Sequence, residues 1–394
     1  MSDNEYNQTH NVTRRAGLAG AEKSVGVIVI GRNEGERLRR AFSSLPLGEV
    51  AVLYVDSGST DGSVELARSL GIEVHRLDPA RPFSPARGRA EGVGRLMPTT
   101  PDLQYVQFLD GDCELAPEWL ATAAAYLEQH PEVGVVCGML TEAAPEASIY
   151  NRLSPQRWKL PAGEIKACGG IFMIRRQVYE AVGGFNPDLI TREESDLCAR
   201  VRAGGWRVVR LDTLMAKHDS GLLSFKEWWT RAVWGGYGDA LGIDADPGNS
   251  ENRQRLRWYL TGTPVAPVLI VGGAAGTIWS PWFLVLSLFG MFSLSFQFAR
   301  ITVARIRQGD RIRDALLFAA FFVLRNLACG WGFMRCFLGR GKRSSAKPDP
   351  HAPRRRHPHP RPTTAQRQTV PVSYTHLRAH ETVLDLVCRL LLEK

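Results

Sequence analysis

The sequence predicts an α/β fold, a mixed sheet flanked by helices over residues 24–246, with a membrane-associated region behind it. Three observations predict it. Apolar, β-branched runs alternate with segments of helical spacing through this stretch, the pattern of a largely parallel sheet covered on both faces. Several runs stop at an acidic residue followed by Gly, Ser or Thr, as strands do when they end in a βα turn. Residues 258–299 contain no Asp, Glu, Lys or Arg, and one spanning helix needs only about 20 apolar residues.

Taken in order, 25–30 is an almost unbroken apolar run and reads as a buried first strand. Helical spacing follows over 34–45, a second strand over 50–55, a helix over 64–70 and a short strand over 72–75. Ser84 supplies an N-cap and Pro85 a first helical position, so a helix runs from there towards Leu96. Residues 104–109 form a fourth strand ending at Asp110. The second half is less regular, with strands over 133–140, 165–174 and 208–211, and a helix over 193–203. An aromatic-rich helix spans 224–241 and a polar linker occupies 247–257.

The uncharged run 258–299 is long enough for a hairpin of two spans, and its glycines with Pro281 leave one span plus a re-entrant segment as the alternative. A two-span hairpin returns the chain to the cytoplasm where Arg300, Arg305, Arg307, Arg311 and Arg313 occur, in keeping with the positive-inside rule. Residues 315–338 are apolar but carry Arg325 and Arg335, which suggests an interfacial helix and closes a membrane-associated region over 258–338. Residues 1–23 and the Pro-, Arg- and His-rich tail 339–394 are expected to be disordered. Residues 372–382 (VSYTHLRAHET) resemble a translated sequencing-library adapter, and no function is read from them.

The 394 residues carry a formal charge of +9, concentrated late in the chain and beside the apolar runs. That placement fits a membrane surface, and no nucleic-acid-binding motif accompanies it. Seven scattered cysteines, none spaced as CxxC, indicate neither a disulfide framework nor a zinc site. The first 23 residues lack an apolar stretch, so the following domain is expected to stay in the cytoplasm.

Chemistry is carried by strand ends. Asp110-Gly111-Asp112 closes the fourth strand, at the sheet edge where α/β folds bind ligands. Two carboxylates flanking a glycine can meet a ribose and a hard divalent cation, Mn²⁺ or Mg²⁺, although acidic turns after strands are common without either. Asp56 to Ser63 closes the second strand with acidic, turn and capping residues; Asp56 there can accept from a nucleobase or ribose, or the segment can be an ordinary turn. Glu193, Glu194 and Asp196 open a helix whose positive N-terminus would by itself favour them.

The order of these motifs over 24–241 resembles the family-2 glycosyltransferases of the nucleotide-sugar-binding GT-A type. Residues 27–34 resemble that family's first strand and nucleotide-contacting turn, which gives Arg32 and Glu34 a place at the substrate, and 56–63 resemble its D-x-G-S-T-D-G-S segment. The resemblance assigns Asp112 to the metal and Asp110 to the substrate. Ala86-Arg87 resembles the start of its A-R-N segment near the diphosphate, with Gly88 in place of Asn. Glu194 falls where the family's catalytic base, usually Asp, would lie. His218 would complete the metal or diphosphate site, and Gly169-Gly170 is similar to its acceptor-side glycines, with a β-bulge as the alternative.

The resemblance thus implies an inverting, metal-dependent transfer from a nucleotide-diphosphate sugar, UDP being the commoner carrier. The acceptor would be lipid-linked or a glycan, at the cytoplasmic face of the inner membrane. A nucleotidyltransferase of similar fold is the rival enzyme, for which 31–37 is a poor Gly-rich loop. A membrane scaffold without catalysis is the other alternative, against which the acidic residues at all three motifs weigh.

Overall fold

The computed structural model describes residues 24–153, 161–245, 250–261 and 263–338. The expectations for residues 1–23, the tail 339–394 with its adapter-like stretch, and 247–249 of the linker lie outside the described residues. Among the described residues one compact unit runs to Pro264 and takes up the chain again from Arg325, and a second holds Val265–Leu324.

Among its described residues the first unit is built on a nine-stranded sheet. Its opening is regular: β1 Val25–Gly31, α1 Glu36–Ser43, β2 Ala51–Asp56, α2 Ser63–Ser69, β3 Glu73–Arg76, α3 Pro85–Thr99 and β4 Tyr105–Asp110. There follow β5 Cys113–Leu115, α4 Trp119–Gln129, β6 Val133–Glu142, α5 Ile149–Leu153, β7 Gly163–Glu164, β8 Phe172–Arg175, α6 Arg176–Ala181, α7 Glu193–Ala203 and β9 Arg207–His218. The strand order is β3-β2-β1-β4-β8-β6-β9-β5, with β7 added on β9. β3, β2, β1 and β4 are parallel, while β8 is antiparallel to β4 and to β6. The mixed sheet is therefore the one expected, with helices packed against it.

Val27, Ile28, Val29, Leu53, Tyr54, Val55, Phe108 and Leu109 are wholly buried, as strands covered on both faces require. α3 lies on the sheet through small residues one turn apart. A Cβ at Gly92 would stand 2.8 Å from Ile28 Cγ2 and 2.9 Å from Val55 Cγ2, and one at Gly88 would touch Ile30 at 3.6 Å. Its start is as read from sequence, with Ser84 Oγ accepting from Arg87 N at 3.1 Å and Pro85 at the first position.

Three elements differ from expectation. The strand over 165–174 shortens to Phe172–Arg175, because the Gly169-Gly170 pair leaves the ladder and forms a loop. The strand over 208–211 extends to His218, because β9 is paired on both sides, with β6 and with β5. The linker over 247–257 gives way from Ser250 to a helix, α9 Ser250–Thr261, which follows α8 Phe225–Ala245. Tyr259 stacks on Phe333 at 4.1 Å between ring centres, and its hydroxyl donates to Asp239 at 2.9 Å, so α9 is held by packing that its polar sequence does not announce.

The uncharged run folds nearer to one span plus a shorter segment than to a hairpin of two spans. It yields α10 Ala266–Gly276 and the start of α11 Leu284–Arg307, and α12 Ile312–Leu338 follows. At about 1.5 Å per residue α10 is roughly 16 Å long, half of a ~30 Å hydrocarbon core. The helices long and apolar enough to cross a membrane are Pro281–Arg307 and Ile312–Cys336, the second where an interfacial helix was expected. Glycines set the break: a Cβ at Gly273 would stand 2.6 Å from Ser287 N, and one at Gly290 would stand 2.9 Å from Ala266 O, so α10 and α11 pack in close contact.

Placing a branched side chain between α3 and the sheet tests this account of the core. Gly92→Val should destabilise the protein by about 1–3 kcal/mol through overpacking. An unfolding midpoint unchanged from wild type in a denaturant titration would contradict it.

Candidate active site

The parallel register lines up three strand ends. Gly31 of β1 is paired with Asp56 of β2, and Ile30 with Asp110 of β4, so all three turns leave the same edge of the sheet. The first two turns are cross-linked. Thr60 N donates to Asn33 Oδ1 at 2.8 Å, Asn33 N to Ser59 Oγ at 3.0 Å, and Gly35 N to Asp61 Oδ2 at 2.9 Å. Asn33 has φ 57°, the left-handed region in which Asn is among the less penalised residues.

Asp56 is fully buried and accepts from the amides of Gly58 and Ser59 at 3.1 Å. Its carboxylate therefore shapes the turn. Arg32 stays beside this ledge, its guanidinium 5.3 Å from the Phe83 ring centre. Glu34 pairs with Arg37 at 2.7 Å and faces the acidic turn. Burial, followed by the charge of Asp112, pushes its carboxyl up to about 7.

The acidic turn is tight around Gly111, whose amide donates to Ile30 O at 2.8 Å. A Cβ there would stand 3.1 Å from Glu34 Cγ and 3.2 Å from Leu38 Cδ1. Beyond it β5 runs antiparallel to β9 with Cys113 opposite His218, which brings His218 Nε2 to 3.4 Å from Asp112 Oδ2. Arg40 pins this pairing from α1, with contacts of 2.7 Å to Glu114 and 2.6 Å to Asp219. Ser220 Oγ lies 3.3 Å from His218 Nδ1 and orients the ring.

Asp112, Cys113 and His218 bring their ligand atoms within 4.8 Å of one another. Burial, then Asp112, pushes the Cys113 thiol well up, and a soft sulfur is a poor match for a hard cation. The usable donors are one carboxylate and one imidazole, a set that fits a divalent cation such as Mn²⁺ or Mg²⁺ with its remaining positions left for substrate oxygens.

The second half of the site is assembled by Arg89, which sequence reasoning missed. It lies in α3 with its side chain almost fully buried. Nη2 donates to Asp110 Oδ1 at 2.8 Å, and Nη1 to Glu193 Oε1 at 2.7 Å and Glu194 Oε1 at 3.4 Å. Burial alone would lower its pKa, but Asp110, Glu194 and Glu193 outweigh that and hold it charged. Burial, then the neighbouring Glu193, pushes Glu194 up to about 7 against the opposing charge of Arg89.

Gly170 leaves the space for this group. A Cβ there would collide with the Arg89 guanidinium and stand 2.8 Å from Asp110 Oδ2 and 3.3 Å from Glu194 Oε1. Gly169, by contrast, has nothing within 4 Å of such a position. Both glycines, with Asp110 and His218, line one cavity of about 430 Å³.

Of the residues singled out from sequence, Asp110, Asp112, Glu34, Glu194, His218 and the two glycines meet around this edge. Arg87 does not join them. Its guanidinium donates to Glu91 at 2.6 Å and to the carbonyls of Asp78 and Arg81 at 2.9 Å, and it holds the loop before α3 in place. Arg87 and Arg89 lie on either side of Gly88, about 100° away in each direction, and it is Arg89 that faces the acidic ends. Glu193 differs too: it is a buried ion-pair partner of Arg89, more than a charge at a helix start.

Residues 26–183 match the family model described as Glycosyl transferase family 2, and 149–220 the model described as N-terminal domain of galactosyltransferase. Among curated proteins, the chain is 24% identical over 240 residues to "Beta-monoglucosyldiacylglycerol synthase" of Nostoc sp., covering 56% of this chain and 50% of that one. It is 26% identical over 219 residues to "Uncharacterized protein y4gI" of Sinorhizobium fredii, covering 47% and 23%. The match therefore spans half or less of these curated relatives. Among solved structures, a mannosyltransferase from Pyrobaculum calidifontis in complex with GDP-Man and Mn²⁺ superposes with TM-score 0.49 and 17% identity, over 80% of this chain and 88% of that one. Glucosyl-3-phosphoglycerate synthase from Mycobacterium tuberculosis superposes with TM-score 0.37 and 18% identity, over 52% and 75%.

Removing the Arg89 charge would leave three carboxylates facing one another in a buried space. Arg89→Met should cost about 3–5 kcal/mol of stability near neutral pH, the usual penalty for breaking a buried ion network, and less in acid as the carboxylates protonate. Urea denaturation at two pH values checks this, and a neutral-pH loss below about 0.5 kcal/mol would show that the network does not hold the site together.

Proposed function

We propose, on the premise that residues 26–183 are a glycosyl transferase family 2 domain, that this chain transfers a sugar from a nucleotide-diphosphate donor to an acceptor hydroxyl with inversion. The observation that carries the reading is the convergence of the Asp112–His218 pair, the Arg89-linked carboxylates and Gly170 on one sheet edge. The domain is a nucleotide-sugar transferase by family, and UDP is the favoured carrier.

Asp112 and His218 would hold Mn²⁺ or Mg²⁺, whose charge offsets that of the departing diphosphate. Glu194 takes the proton of the acceptor hydroxyl while that oxygen forms a bond to the anomeric carbon. The bond from that carbon to the diphosphate oxygen breaks on the opposite face, and the nucleoside diphosphate leaves with the electron pair. A single displacement of this kind inverts configuration.

Arg89 holds Glu194 and Asp110 at fixed separation, and orientation of this sort accounts for a large part of barrier lowering. The cross-linked turns around Asn33, Ser59 and Thr60 form the ledge for base and ribose, with Arg32 and Glu34 beside it. A Glu pushed up to about 7 is well matched to base catalysis at neutral pH.

The two long apolar helices support attachment to a membrane. A relative named for glycolipid synthesis supports a lipid-linked acceptor, with a glycan as the other class. On this reading residues 24–246 form the catalytic region and 258–338 the membrane-associated region.

Screening UDP- and GDP-sugars with Mn²⁺ for nucleoside diphosphate release tests the activity, and pyrophosphate as the product would replace it with nucleotidyl transfer. Glu194→Gln should lower sugar transfer about 10²- to 10⁴-fold, and Asp112→Ala should lower it at least as far. Near-normal turnover in either would remove its assigned role. With a base titrating at about 7, kcat/KM should fall roughly tenfold per unit below neutrality and level off above it. A profile flat through neutrality would rule out Glu194 as the titrating base.

A further inference from the structure

The cavity beside Gly170 carries more positive charge than the donor chemistry uses. Among the described lining residues the only carboxylate, Asp110, is matched by Arg89, whereas Arg210 and Arg231 also line the cavity. Neither forms an ion pair among the described residues, while Arg37, Arg40 and Arg89 around the same sheet edge are all paired with carboxylates. Arg210 is half-buried, and a guanidinium drawn out of water without a counter-charge favours the arrival of an anion.

The two arginines mark opposite ends. Arg231 Nη1 donates to Ser220 O at 3.0 Å, two residues past His218, and so belongs to the corner where the donor diphosphate would lie. Arg210 is paired across the sheet with Cys137, and His218 with Glu142. The β6 stretch between those partners spans about 17 Å at ~3.3 Å per residue, further than one arginine side chain reaches. The wall between them includes Leu140, Ile171 and Met215. Beside Arg210 the buried Cys137 thiol is pushed up to about 11 and stays neutral, so it supplies no counter-charge.

We propose that the Arg210 end of this cavity is an acceptor subsite for a phosphate ester, separate from the site of the donor diphosphate. The inference rests on the transferase reading and sharpens its acceptor class. The acceptor lies along the apolar wall with its hydroxyl towards Glu194 and its phosphate on the planar guanidinium fork of Arg210. A cavity of about 430 Å³ is large enough for a small phosphate ester or for the head of a phospholipid.

Titration calorimetry on the full chain with glycerol 3-phosphate, against glycerol, reads the subsite without any transfer. Glycerol 3-phosphate should bind and glycerol should not. Arg210→Gln should weaken that binding roughly ten- to hundred-fold, with Arg210→Lys between the two, in proteins whose unfolding midpoints match wild type. Equal heats for the two ligands, or full affinity in Arg210→Gln, would overturn the subsite.

Transfer assays then separate the source of the phosphate. Phosphatidylglycerol and diacylglycerol are each offered in phosphatidylcholine vesicles, beside soluble glycerol 3-phosphate and glycerol. Transfer only to phosphatidylglycerol identifies a lipid phosphate, and transfer only to glycerol 3-phosphate a soluble one. Transfer to diacylglycerol or glycerol as readily as to their phosphorylated counterparts counts against the inference. A wild-type chain that releases no nucleoside diphosphate from any sugar nucleotide fails the transferase reading instead, while the calorimetry still decides whether Arg210 binds phosphate.

Discussion

The buried guanidinium of Arg89 is the constraint on which the rest of the site depends. Three carboxylates reach it from two elements that are distant in the chain: Asp110 from the end of β4, and Glu193 and Glu194 from the start of α7. Without a cation among them they would repel in a poorly hydrated space, and either the helix or the strand end would have to move. With it, one rigid fork fixes the distance between the acidic turn and Glu194. The balance is incomplete, which is why Glu194 still sits high, at about 7. A group held in place yet easily protonated near neutrality suits a base that must take up a proton and release it again.

That fork could not act unless the backbone left room for it. Gly170 is the residue that does so, since a Cβ there would overlap the guanidinium and the Asp110 carboxylate and crowd Glu194. The loop carrying Gly170 can therefore pass close to the charge cluster only without a side chain at this position. Its departure from the sheet also opens the cavity that continues along β9 towards Arg210. Charge cluster, glycine loop and cavity are thus one arrangement, and a substitution in any of them alters the other two.

The parallel strands were legible because buried β-branched runs leave few alternatives, and their acidic ends marked the edge that matters. Asp110 stood out because it ends a strand, whereas Asp112, Glu194 and His218 took their expected roles from the family resemblance. Arg89 could not be told from Arg87 in the same way. Both flank Gly88 at equal angles, and which one turns towards the acidic ends depends on how α3 crosses the sheet, which no local pattern encodes. Asp56 is ambiguous for a related reason, because an acidic turn residue can face a ligand or its own amides, and here the amides of Gly58 and Ser59 both donate to its carboxylate.

The C-terminal helices show where composition stops being informative. An uncharged run states that a segment tolerates lipid, but its division into helices follows from contacts. Gly273 and Gly290 let α10 and α11 approach closely, and Ser287 Oγ donates to Ile270 O at 2.8 Å, so the break falls where the small residues and Pro281 permit it, short of a full span. The later helix poses the opposite difficulty. Around Cys329 and Phe333 its apolar face is packed on α8 and α9, with Gly236 and Gly332 admitting backbone to backbone. Half of its most apolar window is buried against protein, compared with 11% for Pro281–Arg307. Its hydropathy is therefore already accounted for in part by packing, and the exposed apolar surface of Pro281–Arg307 is the stronger indication of a lipid-facing segment.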